Sequence, residues 1–321
     1  MTTTAAPQSF TSRLLTETVT FDMTHFGRLA VSGSDAIDLL NRLSTNDLEQ
    51  LQPGQGISSV LTTNKGRIID LLHVLHRGDD LLILTSPGTQ TRVVEWIDFY
   101  TFIEDVSVED ITGKTSERLY IGEGAAELLS EQGFLPTPLT DGLSHIQTED
   151  GESQTTAIRA DIGELPAYRI IAPSEPPLPD FGLSTLDEDE FRSLRIEQAI
   201  ASYPAEMNED RNPLEANLKP YISFNKGCYI GQEVVARLNT YDRVQRFMCR
   251  LEFDDGMAAE PGSQIMMDGN TVGEVTSSVP SMALAFLRKR FYQDGATVEV
   301  ESNGATLSAI VRDVRPPEDD D

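Results

Sequence analysis

After Arg243 the chain breaks into six short stretches of alternating apolar and polar residues, and this is the feature that most narrows its possible folds. Met248 to Phe253, Ser263 to Met267, Thr271 to Val275, Ala283 to Leu287, Thr297 to Glu301 and Thr306 to Val314 follow one another with glycines between them. Successive side chains on a strand point to opposite faces, so each segment has one apolar face to bury. Many short strands separated by turn residues predict a small antiparallel barrel or sandwich. The change of character lies near Tyr241, giving a C-terminal β-barrel domain over residues 243–315.

Upstream the pattern mixes helices and strands, which makes the whole chain α+β. Residues 20–31 read as two strand-like pieces around a turn at Gly27. Ser34 is a natural N-cap for a short helix carrying Ile37, Leu40 and Leu43, followed by a loop from Thr45 to Gly56. Residues 57–74 are strand-rich, and Gly78-Asp79-Asp80 turns them back into Leu81-Leu82-Ile83-Leu84 as a hairpin. Ser86-Pro87 opens a helix through Val93, Val94 and Ile97 to about Tyr100. Strands are expected at Ile103 to Val108 and at Leu119 to Gly122. A turn then leads into a helix at Ala125 to Leu129, closed by Gly133. The lone Gly122-Glu123-Gly124 is weak as a nucleotide signal and reads as a tight turn. A proline-rich stretch, Pro173 to Pro179, precedes Thr185-Leu186-Asp187-Glu188, a capping-box pattern that opens a helix to Ile200. Residues 1–11 and the acidic tail 316–321 are expected to be disordered.

The charge balance is extreme, with Lys+Arg 25 against Asp+Glu 52 and a net of −27. Such a surface repels itself and nucleic acid in dilute buffer. Near molar salt the screening length falls to about 3 Å and the repulsion fades, so the composition reads as built for a salt-rich, halophilic cytoplasm. The nearest approach to a cationic cluster, Arg288-Lys289-Arg290, is expected to be a solvated turn, and no nucleic-acid partner is expected. The first residues show no charged start followed by an apolar stretch, and no apolar run has membrane-spanning length, so a cytoplasmic protein without a membrane partner is expected. Two cysteines, Cys228 and Cys249, form neither a disulfide framework nor a metal-ligand spacing, and no metal site is expected.

The densest chemistry lies in Lys226-Gly227-Cys228-Tyr229-Ile230-Gly231-Gln232-Glu233, which packs a cation, a thiol, two glycines and a carboxylate into one short run. A following helix and the nearby Lys226 both favour the thiolate of Cys228, giving a reactive or ligating thiol; the alternative is a small buried hydrophobe. Cys249, in an alternating strand, reads as packed. Asp70 sits in Ile68-Ile69-Asp70-Leu71-Leu72, apolar on both faces, so its carboxylate is either buried and partnered or lines a cavity. Glu197 lies three residues after Leu194 and three before Ile200, on the apolar stripe of its helix. It needs donors, which either Arg195 or an N–H-rich heterocycle would supply. His73 and His76, three apart in a strand, point to opposite faces, and His25 and His145 are isolated.

The run from Lys226 to Glu233 resembles the KGCYxGQE signature of the YgfZ-type folate-binding proteins, one branch of a superfamily whose other branch is the aminomethyltransferase (T-protein) of glycine cleavage. Phe21 to Gly27, Val31 to Ala36, Thr45-Asn46-Asp47-Leu48 and Pro53-Gly54-Gln55 are similar to the opening segment of that superfamily. Leu194-Arg195-Ile196-Glu197, Glu206 to Asp210 and Asn212-Pro213-Leu214-Glu215 resemble YgfZ-type proteins, and Val272 to Ser277 resembles the shared barrel. The resemblance implies three domains around a central folate channel, with residues 12–242 forming two intertwined α+β subdomains before the barrel. It implies Cys228 and Asp70 as catalytic residues, and Glu197, Lys226, Tyr229, Gln232, Glu233 and Arg237 as binding residues for tetrahydrofolate or a one-carbon-substituted folate. T-proteins carry a pair of adjacent acids near Ile69-Asp70, reduced here to Asp70, and no cysteine at the position of Cys228. The implied role is therefore support of iron-sulfur cluster assembly or repair, with iron-sulfur client proteins as partners. The alternatives are a folate-dependent aminomethyltransferase acting with a lipoyl carrier protein, and a non-catalytic folate-sensing scaffold.

Overall fold

A computed structural model describes residues 10–150, 153–254 and 256–313. In chain order its elements begin with α1 (Phe10–Leu14), β1 (Val19–Asp22), β2 (Gly27–Ser32), α2 (Ala36–Leu43), β3 (Gly56–Thr62), β4 (Ile68–His76), β5 (Leu81–Thr85) and α3 (Gln90–Phe99). They continue with β6 (Ser107–Asp110), β7 (Thr115–Ile121), α4 (Ala125–Glu131), β8 (His145–Asp150), β9 (Ser153–Arg159), β10 (Ala167–Pro173), β11 (Ser184–Thr185) and α5 (Glu188–Glu197). The last are α6 (Gln232–Thr240), β12 (Arg246–Phe253), β13 (Gln264–Met267), β14 (Asn270–Val279), β15 (Met282–Arg288), β16 (Thr297–Ser302) and β17 (Ala305–Arg312). The chain separates into two compact units: Met1–Asn41, Asp47–Ser59 and Leu72–Leu194 form the first, and Arg42–Asn46, Val60–Leu71 and Arg195–Asp321 the second.

The first unit holds a six-stranded sheet in the order β11-β1-β7-β10-β9-β8. It also holds most of a five-stranded sheet, β3-β4-β5-β2-β6. Leu75, Leu82 and Leu84 of the smaller sheet pack with Ile158 and Ile171 of the larger one. A charged group joins the two sheets as well. Arg28 of β2, with no exposed surface, donates to Glu117 of β7 at 3.1 Å, and Glu117 also accepts from Arg169 of β10.

The second unit is built on a closed barrel in the order β12-β15-β14-β13-β16-β17. The antiparallel barrel expected beyond Arg243 is present, and its outer strands show the pattern that predicts it: β16 buries Val298, Val300 and Ser302 while Thr297, Glu299 and Glu301 face solvent. Against Met248, Val279, Leu284 and Phe286 of the barrel pack Val60 and Ile68 of the β3–β4 hairpin, Ile196 of α5, and Met207 and Leu218. Cys249 lies inside the barrel with no exposed surface, and burial pushes its thiol far above the usual range.

Several local expectations need correction. Phe10 and Thr11 belong to α1 rather than to a disordered lead; residues 1–9 and 316–321 lie outside the described residues. The helix expected from Ser86-Pro87 starts at Gln90, and the strand expected at Ile103 to Val108 is β6, shifted to Ser107–Asp110, which leaves Ile103 97% exposed. The capping box sits two residues later than its expected start. Asp187 Oδ1 accepts from the Glu190 N–H at 2.8 Å, and Glu190 Oε2 accepts from the Asp187 N–H at 3.1 Å. The helix that follows ends at Glu197 rather than Ile200.

Candidate functional site

Cys228, Asp70, Glu197, Lys226, Tyr229, Gln232, Glu233 and Arg237 all lie in the second unit, and the run Lys226 to Glu233 is tied down at several points. The Ile230 N–H donates to the Arg42 carbonyl at 2.9 Å, and the Ile230 carbonyl accepts from Thr62 Oγ1 at 2.6 Å. Gly231 caps α6 in the left-handed region at φ 86°, and a Cβ there would stand 2.6 Å from the Thr63 carbonyl oxygen. Only glycine fits this position without strain, because both the backbone angle and the space forbid a side chain. Gly66, at φ 64°, packs beneath Val234 and Val235 of α6. The run is thus clamped onto the β3–β4 turn, and β4 carries Asp70 away from that turn with no exposed surface. Asp70 Oδ1 accepts from the Leu71 N–H at 2.9 Å.

Lys226 is anchored by backbone carbonyls. Its Nζ donates to the carbonyl oxygens of Ser44, at 3.0 Å, and Asn46, and lies 5.5 Å from the centre of the Tyr229 ring. Cys228 is exposed and stands three residues before the Gly231 cap. The field of a helix terminus falls off within its first turn, so Cys228 lies beyond the segment where α6 acts most strongly. Gln232 opens α6 and its side-chain amide makes a long 3.5 Å contact with the Gly227 carbonyl; Glu233 and Arg237 are exposed on the same helix.

Tyr229 is the anomaly. It is buried, burial pushes its phenol up to about 12, and its hydroxyl has no hydrogen-bond partner. Among the described residues with an unpartnered buried polar atom, Tyr229 alone is a buried residue whose single polar side-chain atom is the orphan. Arg169 and Arg211, for example, each keep another bond, to Glu117 and Glu274. Leaving such a hydroxyl dry costs about 1–3 kcal/mol, so its persistence points to a partner supplied from outside the chain.

Glu197, the last residue of α5, is half-buried. Arg195, considered from sequence as a donor to it, donates to Glu206 Oε2 at 2.9 Å, to Ser277 Oγ at 2.9 Å and to the Ile200 carbonyl at 2.8 Å. Glu206, with no exposed surface, also accepts from Ser202, Thr276 and Ser277, so this acid is fully engaged in fixing the segment after α5 onto β14. Nothing in its sequence surroundings separates it from Glu197; only the tertiary partners do.

A cleft of about 880 Å³ opens on the barrel, lined by residues including Arg246, Glu274, Phe286 and Arg288. A second, of about 290 Å³, lies in the first unit around Asp47, Gln55 and Asp141. Cys228, Asp70 and Glu197 line neither. No group of three or more His, Cys, Asp or Glu placed to hold a metal ion occurs among the described residues. His73 bonds Ser58 Oγ through Nδ1 at 2.8 Å, and His145 lies between the carbonyls of Leu143 and His76. No helix of the described residues is long and apolar enough to cross a membrane.

Comparison with known proteins agrees with this architecture. Residues 12–136 match the GCVT N-terminal domain and residues 246–317 the CAF17 C-terminal beta-barrel domain. The fold is that of a glycine cleavage system aminomethyltransferase T from Bartonella henselae, with a TM-score of 0.85 at 18% identity over 95% of this chain and 88% of that one. In sequence the chain is 30% identical to the Arabidopsis thaliana protein named "Putative transferase At1g60990, chloroplastic", over 92% of this chain and 70% of that protein. It is 26% identical to an aminomethyltransferase of Rippkaea orientalis, over 91% of this chain and 84% of that protein. The chain belongs to the T-protein superfamily, in its YgfZ-type branch.

Proposed function

We propose that the protein binds tetrahydrofolate, or a one-carbon-substituted form of it, and supports iron-sulfur cluster assembly or repair in the cytoplasm. The observation that carries this reading is the unpartnered, buried hydroxyl of Tyr229, next in sequence to the exposed Cys228, on a run clamped to the turn that leads to Asp70. The residues fit a reduced pterin in kind. Asp70 and Glu197 are acceptors for its ring N–H groups, and Tyr229 Oη can donate or accept. Lys226, Gln232, Glu233 and Arg237 are assigned to the remainder of the ligand, with the cations facing its glutamyl carboxylate. Tetrahydrofolate, when bound, supplies the nitrogens that carry a one-carbon unit. The part assigned to Cys228 is a nucleophile or ligand reachable from solvent, and the part assigned to Asp70 is a carboxylate held out of water, where its charge acts strongly on a bound ring.

Calorimetry with tetrahydrofolate, using the parent, Glu197→Ala and Cys228→Ser, tests both halves of the proposal. Saturable binding by the parent, a loss of at least ten-fold in Glu197→Ala and unchanged binding in Cys228→Ser are expected, together with loss of cluster-enzyme support in cells carrying Cys228→Ser. Parent-like binding by Glu197→Ala would refute the assigned pterin position.

A second reading is favoured by the extent of similarity to proteins named aminomethyltransferases, which covers nearly the whole chain. Under it the chain moves an aminomethyl group from a lipoyl carrier to tetrahydrofolate, and Cys228 is dispensable. Formation of methylene-folate from a loaded lipoyl carrier, unchanged in Cys228→Ser, would establish this reading in place of the first.

A further inference from the structure

The cleft of about 880 Å³ on the barrel collects positive charge in a chain whose net charge is −27. Its rim carries Arg246, Arg288, Lys289 and Arg290, and its one carboxylate, Glu274, is taken up by an ion pair with Arg211. Strand pairing produces this concentration. Arg246 of β12 and Arg288 of β15 are direct cross-strand partners, and the chain then turns through a 3-10 segment, Lys289–Phe291, that adds the next two cations. The sequence expectation of a solvated turn therefore misses half of its environment: the turn closes one side of a cleft.

Like charges placed directly opposite on neighbouring strands destabilise a sheet unless something offsets them. Arg246 is partly offset by Glu215 at 3.6 Å, and Lys289 by Asp242. Arg288 and Arg290 have no carboxylate within ion-pair distance among the described residues; Arg290 lies over the ring of Phe291 at 4.4 Å. Two exposed guanidinium groups next to two half-compensated cations form a set of charged donors on one side of the cleft, while the side-chain amides of Gln245 and Gln264 already donate to the Arg243 and Gly262 carbonyls. Guanidinium groups match the paired oxygens of phosphate and carboxylate, and the volume falls in the range of small-ligand sites.

We propose that this cleft binds a small polyanion carrying two or more phosphate or carboxylate groups. Small size follows from the electrostatics of the whole chain. A long polyanion reaching past the cleft meets an acidic surface within a Debye length of about 10 Å at 0.1 M salt, whereas a compact one stays within the local positive field. This site is independent of the folate reading, since none of its residues belongs to the set assigned to tetrahydrofolate.

The test is calorimetry of the intact protein in 0.05 M salt with two probes, inorganic tripolyphosphate and a pentaglutamate peptide. Saturable binding of one molecule per chain is expected for at least one probe. Arg288→Gln with Arg290→Gln should weaken it at least ten-fold, and Arg290→Gln alone by an intermediate factor. Both side chains are exposed and Arg288 stands opposite Arg246, so the variants are expected to melt at or slightly above the parent's temperature. Binding of tripolyphosphate alone assigns the site to phosphates, binding of pentaglutamate alone assigns it to a carboxylate chain, and binding of both assigns it to charge alone. Absence of saturable binding for both probes, or binding that the double variant leaves unchanged, would overturn the proposal. So would a 20-nucleotide single-stranded DNA held more tightly than either probe.

Discussion

The two units treat buried polar groups in opposite ways. In the first, Arg28 is completely enclosed and its guanidinium meets Thr115 Oγ1 at 2.7 Å, the carbonyls of Phe26 and Thr112 each at 2.8 Å, and Glu117. Glu117 in turn is shared by two arginines from two different strands. In the second unit, Tyr229 is buried at 7% exposure and its hydroxyl has no hydrogen-bond partner. A satisfied buried cluster holds elements in register, while an orphaned group raises the energy of the free protein and waits for a partner. On the proposed function, the contrast separates structural polarity from polarity kept for a ligand.

Breaking the satisfied cluster should have the largest effect. Glu117→Gln leaves Arg28 and Arg169 buried without their counter-charge, and removing one partner of a buried ion pair costs about 3–5 kcal/mol. Urea unfolding of this variant should show a midpoint shift of that size with little change in tetrahydrofolate affinity per folded molecule. A loss below about 1 kcal/mol would mean that the cluster does not hold the two sheets together. The next effect is acid sensitivity, which belongs to the same unit. Burial, helped by Arg169, lowers the His73 imidazole to about 3, and burial lowers His145 as well. Both are neutral in the folded and unfolded states well above pH 6.5. As the pH falls below 6.5 the unfolded chain takes up protons that the folded chain refuses, so stability falls by up to about 1.4 kcal/mol per pH unit for each histidine. Unfolding midpoints measured from pH 7.5 to 5.5 should decline, less steeply in His73→Gln. A flat profile would show that these rings are hydrated.

The barrel is the most legible part of the molecule, and the reason is its one-sided burial. β16 and β17 keep one face in the core, so Val298 and Val300 alternate visibly with Glu299 and Glu301, whereas β15 is buried on both faces. The large sheet of the first unit is much less legible. β10 buries Ala167 through Ala172 on both faces, including Arg169, which is inside only because Glu117 waits for it. No period survives in such a strand, and β10 is not assigned from sequence for that reason. β6 fails for the opposite reason: Phe102 and Ile103 look like strand residues but lie exposed ahead of it. At the candidate site, the burial of Asp70 follows from its apolar neighbours on either side, while Arg195 turning to Glu206 and the orphaned Tyr229 hydroxyl depend on segments far away in the chain.

The smallest effect on stability is also the sharpest test of the contrast. Tyr229→Phe removes one hydroxyl and keeps the ring against which Lys226 rests. Since that hydroxyl has no partner to lose, the free variant should be as stable as the parent or more stable by about 1 kcal/mol, the reverse in sign of Glu117→Gln. Tetrahydrofolate affinity should fall about ten-fold, the equivalent of roughly one hydrogen bond of 1.4 kcal/mol. The two substitutions each delete one buried polar function, and they are expected to move stability in opposite directions. A Tyr229→Phe variant destabilised by more than about 1 kcal/mol would show that the hydroxyl is already bonded in the free protein. The distinction between the two units would then be lost, and with it the observation on which the folate assignment stands.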